Sequence, residues 1–328
     1  MAINLATKYS SKIAEKFTKE SYVKGNTSNE YDFIGVRSIN IYTPVTVPLG
    51  NYDRTATANR FGTPVEMQDT VQEMTLTQEP SFSITIDKGN NLDQENTKGA
   101  MQMLGAQLRE QVIPFMDKYA FASWVKKAGK IAGLSAAPTK STIVSAIFDG
   151  AAALDEAACP DEDRILYIPT KYYNMLRLSS EFLAADSLAA KSLEKGVVGS
   201  IADMKAVKVH DCYFPENVYF LITYKKSVML PNKIKTARVL TDVAGIDGAV
   251  LEGRNYFDAF VIGSRAGGVY AAVASSKICA DPAISAAGAI TCTADNATLV
   301  YTTDGSDPRY SKSAKEGAAS DVTTKGTV

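Results

Sequence analysis

The chain has 328 residues, 45% of them hydrophobic, and its 35 lysines and arginines nearly balance 36 aspartates and glutamates for a net charge of −1. That length predicts two or three domains with real cores, and the charge balance argues against both disorder and a polycationic nucleic-acid binder. A single histidine, His210, excludes zinc sites of the two- or three-histidine type.

No run nears the roughly 18 apolar residues of a membrane span. After Met1 no basic stretch leads into an apolar core, so no secretory peptide is expected. Cys159, Cys212, Cys279 and Cys292 lie 53, 67 and 13 positions apart without a CxxC pair, and read as reduced, mostly buried thiols.

Residues 1–30 read as an amphipathic arm. Ile3, Ile13, Ala14 and Phe17 sit among Lys8, Lys12, Lys16 and Lys19, and Gly25-Asn26 ends the pattern. Such a face suits either solvent or an arm that meets a neighbour or a polyanion. From Gly35 the period changes to two. Ile39, Ile41, Val45 and Val47 alternate with polar positions, and Pro44 and Pro48 push this strand to a sheet edge. Gly50 to Asp69 reads as a polar excursion containing Arg54, Arg60, Gly62 and Pro64. Alternation then resumes at Met74-Thr75-Leu76 and over Phe82 to Ile86. Together these predict a long projecting hairpin, built to lie on something else.

Helical period returns over Asn91 to Lys130. Met101, Leu104, Leu108, Val112, Phe115, Tyr119, Ala122 and Val125 recur at steps of three and four. Asp93 or Asn96 suits the N-cap, and Gly129 with Gly133 forms the stop. About 33 residues at 1.5 Å each make a rod of roughly 50 Å, kinked at Pro114. From Pro138 to Leu230 helix and strand alternate. A helix over Thr139–Ala158, a strand over Arg164–Ile168 and a helix from Pro169 through Leu178 precede strands at Ala206–His210, Val218–Thr223 and Ser227–Leu230. Strand-like Ile234–Leu240 and Tyr256–Ile262 flank a turn region around Gly245–Gly248. Val269–Val273 follows, and the residues up to Lys277 read as a linker.

No catalytic, cofactor-binding or metal-binding residue emerges. His210 stands on a strand beside Asp211 and Cys212 without a nucleophile or oxyanion signature, and reads as structural. Gly263–Gly268 lacks the lysine and serine of a phosphate loop and joins two strands, so it reads as a turn. Asp242–Glu252 fails as a calcium loop, with Ala244, Ile246 and Asp247 at its third, fifth and sixth positions. Carboxylate pairs such as Asp161/Asp163 and Glu156/Asp161 read as solvated loop. The expectation is a protein that is not an enzyme and carries no cofactor.

The order of segments, with a basic arm, a long polar hairpin, a kinked rod helix and an α/β region ending in sheet, resembles the HK97-fold major capsid proteins of tailed bacteriophages. It is carried by Thr70-Val71-Gln72-Glu73-Met74 through Ile86-Asp87-Lys88-Gly89-Asn90-Asn91, and by Gly196 to Met204 leading into Val207-Lys208-Val209; it covers roughly residues 1–276. The resemblance implies an α+β fold: an N-arm over 1–30, an E-loop with supporting peripheral-domain strands over 31–91, the spine helix over 92–138, and an axial domain over 139–276 with a strand at about 231–242 returning to the periphery. It implies pentamers and hexamers in an icosahedral head, with E-loops lapping over neighbouring subunits. Asp53, Arg54, Arg60 and Glu66 then become candidates for intersubunit ion pairs, and Lys8, Lys12, Lys16 and Lys19 for an inward-facing arm near packaged double-stranded DNA, held without sequence specificity. Exposed ion pairs contribute only about 0–1 kcal/mol each, so cohesion would come from repetition over large interfaces. A separate scaffolding protein, a portal and cement proteins are the implied partners. The implied location is the virion capsid, after synthesis in the bacterial host cytoplasm.

A second resemblance lies at the end. Pro282-Ala283-Ile284, and Ala297 through Tyr301-Thr302-Thr303-Asp304-Gly305-Ser306-Asp307-Pro308, resemble the chitobiase C-terminal, FN3-associated Ig-like module, with a turn at Asp304-Gly305. Residues 277–328 therefore read as a partial all-β Ig-like module, an outward decoration that implies a spacer or a glycan binder. Two other functions fit parts of the pattern: an encapsulin-like nanocompartment enclosing a cargo enzyme, and a carbohydrate-binding protein acting through the C-terminal module.

Overall fold

The computed structural model describes residues 20–31, 33, 36–93, 99–179, 200–241, 243–279, 282–284, 290–291 and 299–316. The first hairpin is β1 (Ser38–Pro44) antiparallel to β2 (Asp69–Thr75), with Ser38 opposite Thr75 and Pro44 opposite Asp69. β3 (Ser81–Asp87) runs into α1 (Lys88–Asp93), and then come α2 (Ala100–Gln107), a π-helical turn over Leu108–Val112, and α3 (Ile113–Lys126). The predicted single rod is thus interrupted. Pro114 has no N–H to give to the Glu110 carbonyl, and the turn widens just ahead of it, so that the Ile113 N–H reaches back five residues to the Leu108 carbonyl. The helix also ends at Lys126, earlier than expected. Gly129 and Gly133 are not its stop: they flank and occupy a further strand, β4 (Lys130–Leu134). Gly129 passes so near the backbone of Ala266 that a Cβ there would lie 2.0 Å from the carbonyl oxygen.

Next come α4 (Ile143–Glu156), β5 (Arg164–Pro169) and α5 (Thr170–Arg177), where the periodicity places them. β6 (Ser200–Ile201), β7 (Met204–Val209), β8 (Val218–Tyr224), β9 (Val228–Met229) and β10 (Asn232–Leu240) follow. The strand expected from Tyr256 starts well before it: β11 spans Gly248–Phe257, and only the short β12 (Phe260–Val261) lies beyond. Glu252 and Arg254 conceal this strand in the sequence. They share its outer face, where Glu252 pairs with Arg238 of β10 at 2.7 Å and Arg254 pairs with Glu79. β13 (Val269–Ala274) closes the main body.

A six-stranded mixed sheet in the order β4-β13-β8-β5-β7-β6 forms the centre. Successive side chains of a strand point to opposite faces, and here both faces are buried. Leu166, Ile168, Phe220, Ile222, Tyr270 and Ala272 meet Ile143, Ile147 and Leu154 of α4. Ile165, Tyr167, Leu221, Val269 and Ala271 meet Phe121 and Trp124 of α3. Covering both faces is what makes these strands unbroken apolar runs. A three-stranded sheet, β10-β11-β3, builds a smaller core with Ile86, Leu251 and Leu104 of α2. The β9–β12 pair and the β1–β2 hairpin enclose Phe33, Ile41, Met74, Leu76, Met229, Phe260 and Ile262.

In the C-terminal segment β14 (Ala283–Ile284) pairs with β15 (Ile290–Thr291), and β16 (Val300–Tyr301) pairs with β17 (Lys315–Glu316). Each of these strands has two residues. Residues 307–312 pack against the body rather than standing away from it, and Tyr310 joins the α3 core at 8% exposure.

Candidate intersubunit surface

The projecting loop fills residues 45–68 between β1 and β2. At its root the Val45 N–H donates to the Gln68 carbonyl at 2.8 Å, prolonging the hairpin, and Gln72 of β2 ties the root to the body. The Gln72 side-chain amide donates to the Val261 carbonyl at 2.9 Å and accepts the Gly263 N–H at 2.7 Å. Farther out, only local bonds order the chain. The Asp53 N–H donates to the Arg60 carbonyl at 3.0 Å, and Arg60 Nε donates to the Ala56 carbonyl at 2.8 Å. The Asp53 carboxylate accepts the Thr55 hydroxyl at 2.6 Å and the Thr55 N–H at 2.8 Å, which holds its pKa below the usual carboxylate range.

All four residues marked for intersubunit ion pairs, Asp53, Arg54, Arg60 and Glu66, are exposed on this loop. The fold brings Asp53 and Arg60 together through their backbones. It gives none of the four an ion-pair partner among the described residues of this chain.

The apolar content of the loop is the feature that the polar reading missed. Leu49, Phe61, Val65 and Met67 are exposed, Phe61 to 90%, and the Tyr52 ring meets that of Phe61 edge-on at 4.8 Å. Burying one such side chain contributes about 1.5–3 kcal/mol, and nothing among the described residues covers these four. Exposed large apolar side chains gathered on one projecting loop point to an interaction surface.

The arm residues Lys8, Lys12, Lys16 and Lys19 lie outside the described residues. From Glu20 onward the arm is pinned to α3. Buried Asp117 accepts the Ser21 hydroxyl at 2.6 Å and the Tyr22 N–H at 2.8 Å. Beside this anchor a cleft of about 860 Å³ opens toward β10, lined by Lys24, Arg109, Lys225 and Lys235 among others.

The remaining chemical candidates separate in space. His210 lies just beyond β7 rather than on the strand and is exposed, with its ring near Tyr22 and Tyr213 at 6.2 and 6.4 Å. Gly263–Gly268 forms short helical turns between β12 and β13. Of the Asp242–Glu252 stretch, residues 243–247 lie between β10 and β11 and Gly248–Glu252 lie on β11, while Asp242 lies outside the described residues. Cysteine burial is corrected: Cys212 and Cys279 are exposed and Cys159 is half-buried, because they stand in turns and in the chain leaving β13 rather than inside the sheet. Cys292 lies outside the described residues. Among the described residues, no group of three or more His, Cys, Asp or Glu side chains is placed to hold a metal ion, and no helix is long and apolar enough to cross a membrane.

No protein-family model matches this chain, and no curated protein matches it in sequence. Solved structures do match. A chain of Mycobacterium phage Che8 superposes with a TM-score of 0.66 at 17% identity, over 83% of this chain and 98% of that one. A chain from the asymmetric unit of the bacteriophage PhiM1 mature capsid gives 0.66 at 12% identity, over 84% and 93%. One from the capsid structure of the cyanophage P-SCSP1u gives 0.63 at 11%, over 83% and 93%. The fold is that of phage capsid structures. In this fold the most exposed large apolar side chains among the described residues, Leu49 and Phe61, lie on the long loop, whose root is tied to the α/β body through Gln72.

Proposed function

We propose that this chain is the major capsid protein of a tailed double-stranded DNA bacteriophage, assembling through pentamers and hexamers into an icosahedral head. The observation that carries the proposal is coverage: the likeness takes in 93% of the PhiM1 and of the P-SCSP1u capsid chains, so it is not confined to a shared core motif. The uncovered apolar loop supports it, since a protein assembled from copies of itself supplies the missing cover. On this proposal the β1–β2 hairpin with its loop acts as the E-loop of an HK97-type subunit, with α2 and α3 in the spine and the six-stranded body forming most of the axial domain. The lysine-bearing arm faces inward, and scaffolding, portal and cement proteins are its partners.

Electron microscopy of the purified full chain tests the proposal. Closed particles tens of nanometres across are the expected result, and a soluble monomer at assembly concentrations overturns it. DNA inside particles from infected cells is expected, whereas a protein cargo would make the shell a nanocompartment. For the Ig-like segment, glycan-array binding that disappears on removing residues 281–328 would make it a decoration; binding that is absent, or unchanged by the deletion, ends that part of the proposal.

A further inference from the structure

The segment Asp307–Lys312 reaches three separate parts of the body at once. The Tyr310 hydroxyl donates to the Lys127 carbonyl at 2.6 Å, and Arg309 Nη1 donates to the carbonyls of Ala128 at 2.9 Å and Gly129 at 3.2 Å. These carbonyls directly follow the last residue of α3, at the electronegative end of the helix, where acceptors lack intrahelical donors and a cation is favoured. Asp307 holds the guanidinium in place from behind, with Nη2 to Oδ2 at 2.7 Å. The Tyr310 side chain rests on Gly263, where a Cβ would come within 2.7 Å of the Tyr310 Cβ. On the other side the Lys312 N–H donates to the Val71 carbonyl of β2 at 2.8 Å, and its ammonium pairs with Glu73 at 3.0 Å.

We propose that Asp307–Lys312 is an intramolecular docking peptide, seated in a slot formed by Lys127–Gly129, Gly263 and β2, and that its seating locks the root of the long loop to the end of α3. The occupant is this chain's own segment, and its side chains match the slot in kind. Arg309 meets bare carbonyls, Lys312 meets a carboxylate, and the tyrosine fills the space left by a glycine. β2 carries the loop, and Gln72 already bridges it to Val261 and Gly263. The strap therefore closes a second connection at the same place, and the loop root is held from two sides. This inference stands on the fold alone and survives or fails independently of the capsid proposal.

Hydrogen exchange followed by mass spectrometry on the full chain tests it. Tyr310→Ala should speed exchange about tenfold in peptides covering 69–76 and 123–134, since local opening follows the loss of local contacts, while peptides of α4 and β5 keep the wild-type rate. Val300→Ala, an exposed change in the same segment, should alter neither region. Unchanged exchange over 69–76 in Tyr310→Ala overturns the proposal, and so does acceleration spread evenly over the whole chain, which would make Tyr310 mere core filling. If Tyr310→Ala does not fold, the pair Arg309→Met with Lys312→Ala, which empties no core, must speed the same two regions; wild-type rates there overturn the proposal equally.

Discussion

Asp117 is 1% exposed, and both its oxygens serve the segment that leads out of the arm, Ser21 and Tyr22. Burial pushes its carboxyl pKa above the ordinary 3.8, and the two donors pull it back without cancelling the shift. The folded protein therefore binds this proton more tightly than the unfolded chain does. The stability contributed by that proton is complete below 3.8 and is lost as pH rises through the folded value. Asp117→Asn, uncharged throughout, should remove this slope. Calorimetry should show the variant gaining on the wild type as pH rises from below 3.8 through the raised folded pKa, and parallel melting curves would refute it.

Arg164 presents a different balance. Its guanidinium is 4% exposed and donates to Asp155 at 2.6 Å, Asp161 at 2.8 Å and the carbonyls of Cys159 and Pro160, whereas both carboxylates lie largely in water. Arg164→Met strips a buried donor from the carbonyls of Cys159 and Pro160 and from both carboxylates, and should cost about 1–3 kcal/mol in urea unfolding. Asp155→Asn leaves the arginine its other partners and should cost less than about 1 kcal/mol. The reverse order would show that the ion pair, not the carbonyl contacts, organises the turn.

At the scale of elements, the long loop holds the most exposed large apolar side chains among the described residues, Leu49 and Phe61. Leu49→Ser with Phe61→Ser should therefore leave the melting of the unassembled chain within about 0.5 kcal/mol of wild type. If the chain assembles as proposed, the same pair should sharply reduce particle formation in size-exclusion chromatography and microscopy; normal assembly would remove the loop from the proposed cohesive surfaces.

The existence of this loop is legible in the sequence from the polar excursion over Gly50–Asp69, although the strand expected to run on through Val45 and Val47 ends at Pro44. Its apolar character is not, because Leu49, Phe61, Val65 and Met67 are spaced irregularly and form no pattern; only the absence of intrachain cover marks them. The same contrast runs through the strands. Arg164–Ile168, Val218–Thr223 and Val269–Val273 announce themselves because both sheet faces are buried. β4 does not, since Lys-Ile-Ala-Gly-Leu is short, half-exposed and follows a helix, and it is a strand because β13 pairs with it from Tyr270 to Ala274. Tyr310 was invisible for a related reason: one aromatic residue in a short polar segment carries no period, and a slot some 180 residues away gives it its place.

At the scale of the whole molecule, the six-stranded sheet is sealed on both faces by apolar side chains, and the loop root and Asp307–Lys312 join the body through named contacts. The sheet should dominate stability. Phe220 is fully buried and stacks on Tyr270 with ring centroids 6.1 Å apart. Phe220→Ala should cost about 3–5 kcal/mol, measured by urea unfolding, and a loss under about 1 kcal/mol would mean that the core can collapse around the gap. The seal has one further consequence. The only tryptophan of the chain, Trp124, is fully buried where α3 meets the sheet, and its indole N–H has no hydrogen-bond partner among the described residues. The protein thus contains its own optical reporter, a chromophore in dry surroundings whose emission should lie to the blue and move red only when α3 lifts from the sheet. Light scattering would follow particles growing through the loop while the colour of that emission stays fixed, so association and unfolding would be recorded as separate signals on one unlabelled sample.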